Sequence, residues 1–156
     1  MYPEIDFNFL FLTHGYNFRN TELHATLGLD QIKHLDRYIK IRNQNHKKFI
    51  GIISFMEELI YSVNNDGISS FCLPFIFRKK EDMVKLKRVL IENKIESRPI
   101  ISGNLLLQPC FKSYGNYRDF TNAQIVHENG IYIGNNQFVN NERLDKLKDI
   151  LRRTFA

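Results

Sequence analysis

From Thr21 to Leu59 the chain repeats at helical spacing. Leu23, Leu27, Gln31, Leu35 and Tyr38 fall on one face, with Ile32 and Ile39 beside it. The pattern continues through Phe49, Ile52, Ile53, Met56 and Leu59, as in an amphipathic helix. Residues 21–60 are therefore predicted to form one long helix, or two joined near Asn43–Asn45. Thr21 suits the N-cap, and Glu22 suits the positive helix end. Gly28 costs about 1 kcal/mol relative to Ala inside a helix, so it reads as a point of close helix packing rather than a break.

On either side the pattern changes. Phe7, Phe9 and Phe11 alternate with Asn8 and Leu10, the period of a strand or of a segment lying across a groove. Residues 1–19 are expected to be extended, with an aromatic surface that needs a partner to cover it. Asn64–Gly67 reads as a turn. A strand is predicted at Ser69–Arg78, where Pro74 points to an edge position or a bulge. Lys80–Asn93 carries Met83, Leu86, Val89 and Leu90 at helical spacing, and Ile95–Ile101 reads as a second strand, giving a strand–helix–strand unit. Ser102–Phe120, broken by Gly103, Pro109 and Gly115, is long for a loop, which points to function or a covered partner. Asn122–Asn129 is a short helix, Ile131–Gly134 a strand, and Asn141–Arg153 a final helix with Leu144, Leu147, Leu151 and Phe155 on one side. The fold class is α/β or α+β, a long helix plus a small sheet packed by helices. One domain is expected, divided into an arm and loop (1–20), the helix or helix pair (21–60) and a small α/β part (69–156).

Composition changes this picture little. The 156 residues are 43% hydrophobic and 25% charged, ordinary for a folded protein. The 13 Phe suggest a phenylalanine-rich core. A net charge of +5 admits a polyanionic partner. However, the densest cationic run, Arg78–Lys80, is followed at once by Glu81 and Asp82, and no Arg/aromatic alternation tracks a nucleic-acid backbone. Nucleic acid is not expected as a partner. Cys72 and Cys110 stand 38 positions apart without metal-type spacing. Cys72 reads as a buried small hydrophobe, and a reducing cytoplasm is the expected location. The acidic start has no signal-peptide character, and no apolar run reaches the ~20 residues of a membrane helix.

No complete catalytic set is visible: G-x-G-x-x-G, Walker A, H-E-x-x-H and G-x-S-x-G patterns are all missing. His14, His24, His34, His46 and His127 are scattered and read as surface or satisfied histidines. Two polar groups are more informative. Thr13–Thr21 places Tyr16, Asn17 and Arg19 just ahead of a helix N-terminus, where backbone N–H groups favour an anion. A capped turn in which Gly15 supplies an unusual backbone angle explains the same residues. Arg98-Pro99, followed by Gly103-Asn104, puts a cation and a glycine loop at a strand end, a common site plan in α/β folds. A surface arginine and a turn would look the same, and Gln108 is open to either reading.

Read in order, these blocks resemble the DegT/DnrJ/EryC1/StrS family of sugar aminotransferases. Residues 14–36 are similar to its G-Y-N-x-R-x-T-x-x-x-A-A-x-G-L-x-Q-L-x-x-L-D, matching at Gly15, Tyr16, Asn17, Arg19, Thr21, Ala25, Gly28, Leu29, Gln31, Leu35 and Asp36. Ile95–Pro99 is similar to its I-x-T-R-P. Gly103–Pro109 resembles the G-N-L-x-R-Q-P of a 3-dehydratase branch, as does 122–134 its N-T-D-x-x-x-x-N-T-F-W-I-G, with Leu107 in place of the Arg and Gln124 in place of the Asp.

The resemblance implies the C-terminal small domain of a fold-type I transferase dependent on pyridoxal 5'-phosphate (PLP). Such an enzyme is a homodimer with a nucleotide-sugar substrate and active sites at the subunit interface. Asn17 would reach the cofactor phosphate of the neighbouring subunit, with Tyr16 and Arg19 beside it. Gly103, Asn104 and Gln108 would shape the sugar pocket, with Arg98 close to it. The family's Schiff-base lysine, or the histidine that replaces it in 3-dehydratases, precedes the G-Y-N-x-R block. This chain is thus expected to carry no catalytic residue and not to bind PLP firmly alone. The alternative expectation is a non-catalytic binding or dimerisation module of the same fold.

Overall fold

A computed structural model describes residues 2–16, 20–62 and 69–156. Asn17 and Arg19, and the turn expected at Asn64–Gly67, lie outside the described residues.

The long helical segment is α1 (Glu22–Gln31), a 3-10 turn at Ile32–His34, α2 (Leu35–Ile53) and a second 3-10 turn at Ser54–Met56. The join therefore falls at Ile32–His34 and not at Asn43–Asn45. Asn45 lies inside α2 and is buried. Its Nδ2 donates to Asn135 Oδ1 (3.2 Å) and the Val139 carbonyl (3.0 Å), so a residue at one of the expected joins is a packing node inside the helix. Thr21 caps α1, and its N–H donates to His24 Nδ1 at 3.2 Å.

The two helices differ in what they bury. Phe49 and Ile53 of α2, with Met56 of the turn after it, enter the core, whereas α1 buries no residue and leaves Leu23 77% and Leu27 65% exposed. The stripe expected on α1 is not a buried face: Leu29, off that face, is 72% exposed as well. At Gly28, likewise, a side chain would meet nothing within 4 Å.

The sheet is small and antiparallel. β1 (Cys72–Ile76) and β2 (Ser97–Pro99) both pair with β3 (Gly130–Gly134), in the order β1-β3-β2. The expected strand–helix–strand unit is present, with α3 (Lys80–Glu92) as its helix, but its strands are parallel non-neighbours split by β3. β3 is buried from Gly130 to Ile133, as a central strand must be. β1 is an edge strand, so Pro74 sits where a missing N–H does least harm. Phe77 N–H donates to the Asn129 carbonyl, so β1 faces β3 with its odd-numbered groups and Pro74 N points to the free side.

α3, α4 (Thr121–Asn129) and α5 (Asn141–Phe155) complete the fold. Leu86 and Leu90 of α3, and Leu144, Leu147 and Leu151 of α5, meet Leu73, Phe75, Phe77, Ile131 and Ile133 in one core. Phe49 sits edge-on to Phe75 at 5.0 Å, and Phe75 stacks near Phe77 at 6.3 Å. The phenylalanine-rich core holds for these rings. Phe7, Phe71, Phe120 and Phe138 are instead more than half exposed. Cys72, expected buried, is only partly so.

Two expectations fail in detail. Residues 7–9 form a 3-10 turn rather than a strand, because Asp6 Oδ1 accepts the Asn8 N–H at 3.0 Å and curls the chain. The stretch 102–120 is also not irregular: it holds three 3-10 segments, at Leu105–Leu107, Pro109–Tyr114 and Tyr117–Asp119.

Candidate functional site

The loop after β2 is built around two left-handed residues. Ile101 has φ 43° and Gly103 φ 58°. A β-branched residue in that region is strained, whereas glycine enters it freely. Gly103 also has no room for a side chain, since a Cβ would lie 2.1 Å from His127 Nδ1.

Asn104 then caps the Leu105–Leu107 turn. Its Oδ1 accepts the Leu106 N–H (3.2 Å), and its Nδ2 donates to the Tyr117 carbonyl (3.0 Å) and Gln124 Oε1 (3.1 Å). Gln124 Nε2 in turn donates to Glu128 Oε1 at 2.7 Å. Gln108 is fully buried; its Nε2 donates to the Phe9 carbonyl and its Oε1 accepts the Phe11 N–H. The polar atoms of Asn104 and Gln108 are thus engaged within the chain, where they shape the loop and present no free amide to a ligand.

The N-terminal arm runs along this loop. Besides the Gln108 bonds, the Glu4 carbonyl meets His127 Nε2 at 2.8 Å, and Lys112 Nζ lies 4.6 Å from the Tyr2 ring centroid. His14 packs on Phe111 at 5.1 Å and Tyr114 at 6.0 Å. Arm, loop and α4 enclose a groove of about 960 Å³ floored by Phe9, Met83, Ile101 and Leu106. The structure therefore holds Phe9 and Phe11 of the arm on Gln108, and His14 farther along on Phe111 and Tyr114. Tyr16 itself is 87% exposed. Gly15 is not among the positive-φ residues, so its expected unusual angle is not seen.

Arg98 is placed differently. Its guanidinium donates twice to Glu96 Oε1 (2.9 and 2.7 Å), and this carboxylate raises its pKa above the ordinary value. It lines a separate groove of about 690 Å³ with Lys94, Tyr132, Arg143 and Lys146, not the groove lined by Gly103.

The histidines divide in a way the sequence does not reveal. His24 caps α1, His14 joins an aromatic trio, and His127 holds the arm. His46 is neither superficial nor satisfied: it is buried, its Nε2 has no hydrogen-bond partner, and burial pushes its pKa down. Among the described residues no three His, Cys, Asp or Glu converge to hold a metal, and no helix is long and apolar enough to cross a membrane.

A three-stranded antiparallel sheet backed by helices and entered through a long helix matches part of the PLP-dependent aminotransferase fold. The chain belongs to the DegT/DnrJ/EryC1/StrS aminotransferase family, whose profile matches residues 5–152. It is 30% identical over 152 residues to a GDP-4-keto-6-deoxy-D-mannose 3-dehydratase of Escherichia coli O55:H7, covering 93% of this chain and 39% of that protein. A lipopolysaccharide biosynthesis protein of Salmonella typhimurium is 28% identical over 138 residues, covering 84% of this chain and 32% of that protein. The solved structure of a GDP-4-keto-6-deoxymannose-3-dehydratase with a trapped PLP–glutamate geminal diamine superposes with TM-score 0.72 at 28% identity, over 92% of this chain and 39% of that one. The chain thus spans about two fifths of the relatives it matches.

The family is PLP-dependent. The described residues do not enclose a cofactor, because Tyr16 stands open to solvent.

Proposed function

We propose that this chain is the C-terminal lobe of a PLP-dependent enzyme acting on a nucleotide-linked keto-deoxysugar, by aminotransfer or 3-dehydration, in cell-surface polysaccharide synthesis. The family match over 5–152, at two fifths of the length of a GDP-sugar 3-dehydratase, carries this reading. The Salmonella relative's name supports the polysaccharide context. In this reading Tyr16, Asn17 and Arg19 form a phosphate-facing segment, with Asn17 reaching the cofactor of the neighbouring subunit in a homodimer. Gly103, Asn104 and Gln108 shape the sugar side. Arg98 is a substrate-binding residue near that pocket, although in this chain it pairs with Glu96 and lines the groove of Lys94, Arg143 and Lys146.

The test is a chimera in which this chain replaces the matching lobe of the E. coli dehydratase. It is expected to retain PLP after gel filtration, and Asn17→Ala is expected to lower that retention without lowering the melting temperature. A folded chimera whose PLP retention is indifferent to Asn17→Ala would overturn the phosphate role. A second reading, a binding or dimerisation module without catalysis, is favoured by the uncovered leucines of α1. It requires that the isolated chain sediment as a dimer and that the chimera turn over no substrate.

A further inference from the structure

The side chain of Gln108 acts as a piece of β-ladder. Its Nε2 donates to the Phe9 carbonyl at 2.7 Å, and its Oε1 accepts the Phe11 N–H at 2.8 Å. These two groups flank Leu10, whose backbone is extended (φ −86°, ψ 116°). In a parallel pair, a strand residue bonds the carbonyl before and the N–H after the residue opposite it. A carboxamide, one donor and one acceptor on a rigid plane, reproduces that pair. Because the side chain is fully buried, these two bonds meet little competition from water, and leaving either partner unpaired carries a desolvation cost.

A second tie lies on α4, where the His127 ring meets the Glu4 carbonyl with one nitrogen and lies against Gly103 with the other. Arm residues 4–11 are thus held at both ends of the 103–108 loop.

We propose that Gln108, seconded by His127, is a positioning residue that fixes the arm in register with the Gly103–Gln108 loop. It thereby sets where the segment that continues through Tyr16 into Asn17–Arg19 begins relative to that loop. That the segment faces a cofactor rests on the function proposed above; the docking of the arm does not.

The geometry makes a distinctive demand on variants. Gln108→Leu removes both bonds at any pH. Gln108→Glu, when ionised, still accepts from Phe11 but sets a second acceptor oxygen against the Phe9 carbonyl. When protonated it has one O–H donor and one acceptor, and so restores the amide pattern.

The experiment is amide hydrogen exchange of the 156-residue chain from pH 5 to 9, expressed as protection relative to the intrinsic rate. The carboxyl of the Gln108→Glu variant is followed by its 13C shift in the same samples. Phe11 is expected to be protected throughout in the parent, and about fivefold or more less protected at every pH in Gln108→Leu, as loss of a net hydrogen bond implies. In Gln108→Glu, Phe11 protection should fall as the carboxyl ionises and return as it is protonated. The Ile131 and Ile133 amides of β3 should be unaffected and so report the intact core. Full Phe11 protection in Gln108→Leu overturns the proposal, as does ionisation of the carboxyl without loss at Phe11. Loss at β3 in step with Phe11 also overturns it, since Gln108 would then be an ordinary core residue. Failure of the PLP-retention test with these exchange results intact would reject the function and leave the clamp.

Discussion

Gly103→Ala should be costly for two separable reasons. At φ 58° an alanine carries the left-handed penalty of about 1–2 kcal/mol. The new methyl would also lie 2.1 Å from His127 Nδ1 and 2.9 Å from its Cγ, so the ring must move. The ring is held by its 2.8 Å contact with the Glu4 carbonyl, and breaking that bond adds about 1 kcal/mol. The sum is about 2–3 kcal/mol, or a drop in melting temperature of roughly 4–12 °C for a chain of this size. Urea unfolding followed by circular dichroism measures it directly. The two parts separate in a double-mutant cycle with His127→Ala, because removing the ring leaves only the backbone penalty. The cost of Gly103→Ala should then fall by about 1 kcal/mol in that background. An unchanged cost in the His127→Ala background, or a cost under about 0.5 kcal/mol in the parent, would refute the reasoning.

Two further substitutions probe the fold. Burial holds the His46 pKa below the usual 6.5, so the unfolded chain binds that proton more readily. Stability is full above pH 6.5 and declines as the pH falls below it; urea midpoints between pH 8 and 5 should show this slope, and His46→Leu should flatten it. Asn45→Ala leaves the buried Asn135 Oδ1 and the Val139 carbonyl without their shared donor, which should cost about 2–3 kcal/mol in equilibrium unfolding.

The helices α3 and α5 were legible because their leucines at 3- and 4-residue spacing all turn toward one core. Pro74 rightly marked an edge strand, since its missing N–H needs a free side. The central place of β3 was not legible: the short run Ile131–Gly134 says that a strand is buried, not which strands flank it. Asn45 was misread because local propensity knows nothing of the carbonyls brought to it from residues 135–139. The same limit hid the clamp, as Gln108 and Phe9 are 99 positions apart. Gly103 drew attention as a loop glycine, but its need for a bare Cα became visible only when His127 was placed beneath it. The orphan nitrogen of His46 has no sequence signature at all. The family blocks did mark the polar segments; the structure ties residues 9 and 11 of the arm to Gln108 and sets Arg98 in a different groove from Gly103.

The order β1-β3-β2 has a consequence for how the molecule is made. The strand that joins the sheet is the last of the three to leave the ribosome, at residues 130–134. Until then β1 and β2 have no partner in each other; β1 has only the bridge from residues 59–61 at its end, and the groups each turns to β3 are unpaired. Helices α2 and α3 can form locally and early and give Leu73, Phe75 and Phe77 part of their cover, but Ile131, Ile133 and the leucines of α5 complete it only when β3 and then α5 arrive. Synthesis therefore passes through a window of more than fifty residues, from the end of β1 to the start of β3, in which the sheet-facing edge of β1 has no strand beside it. Any nascent chain halted in that window exposes two adhesive edges at once.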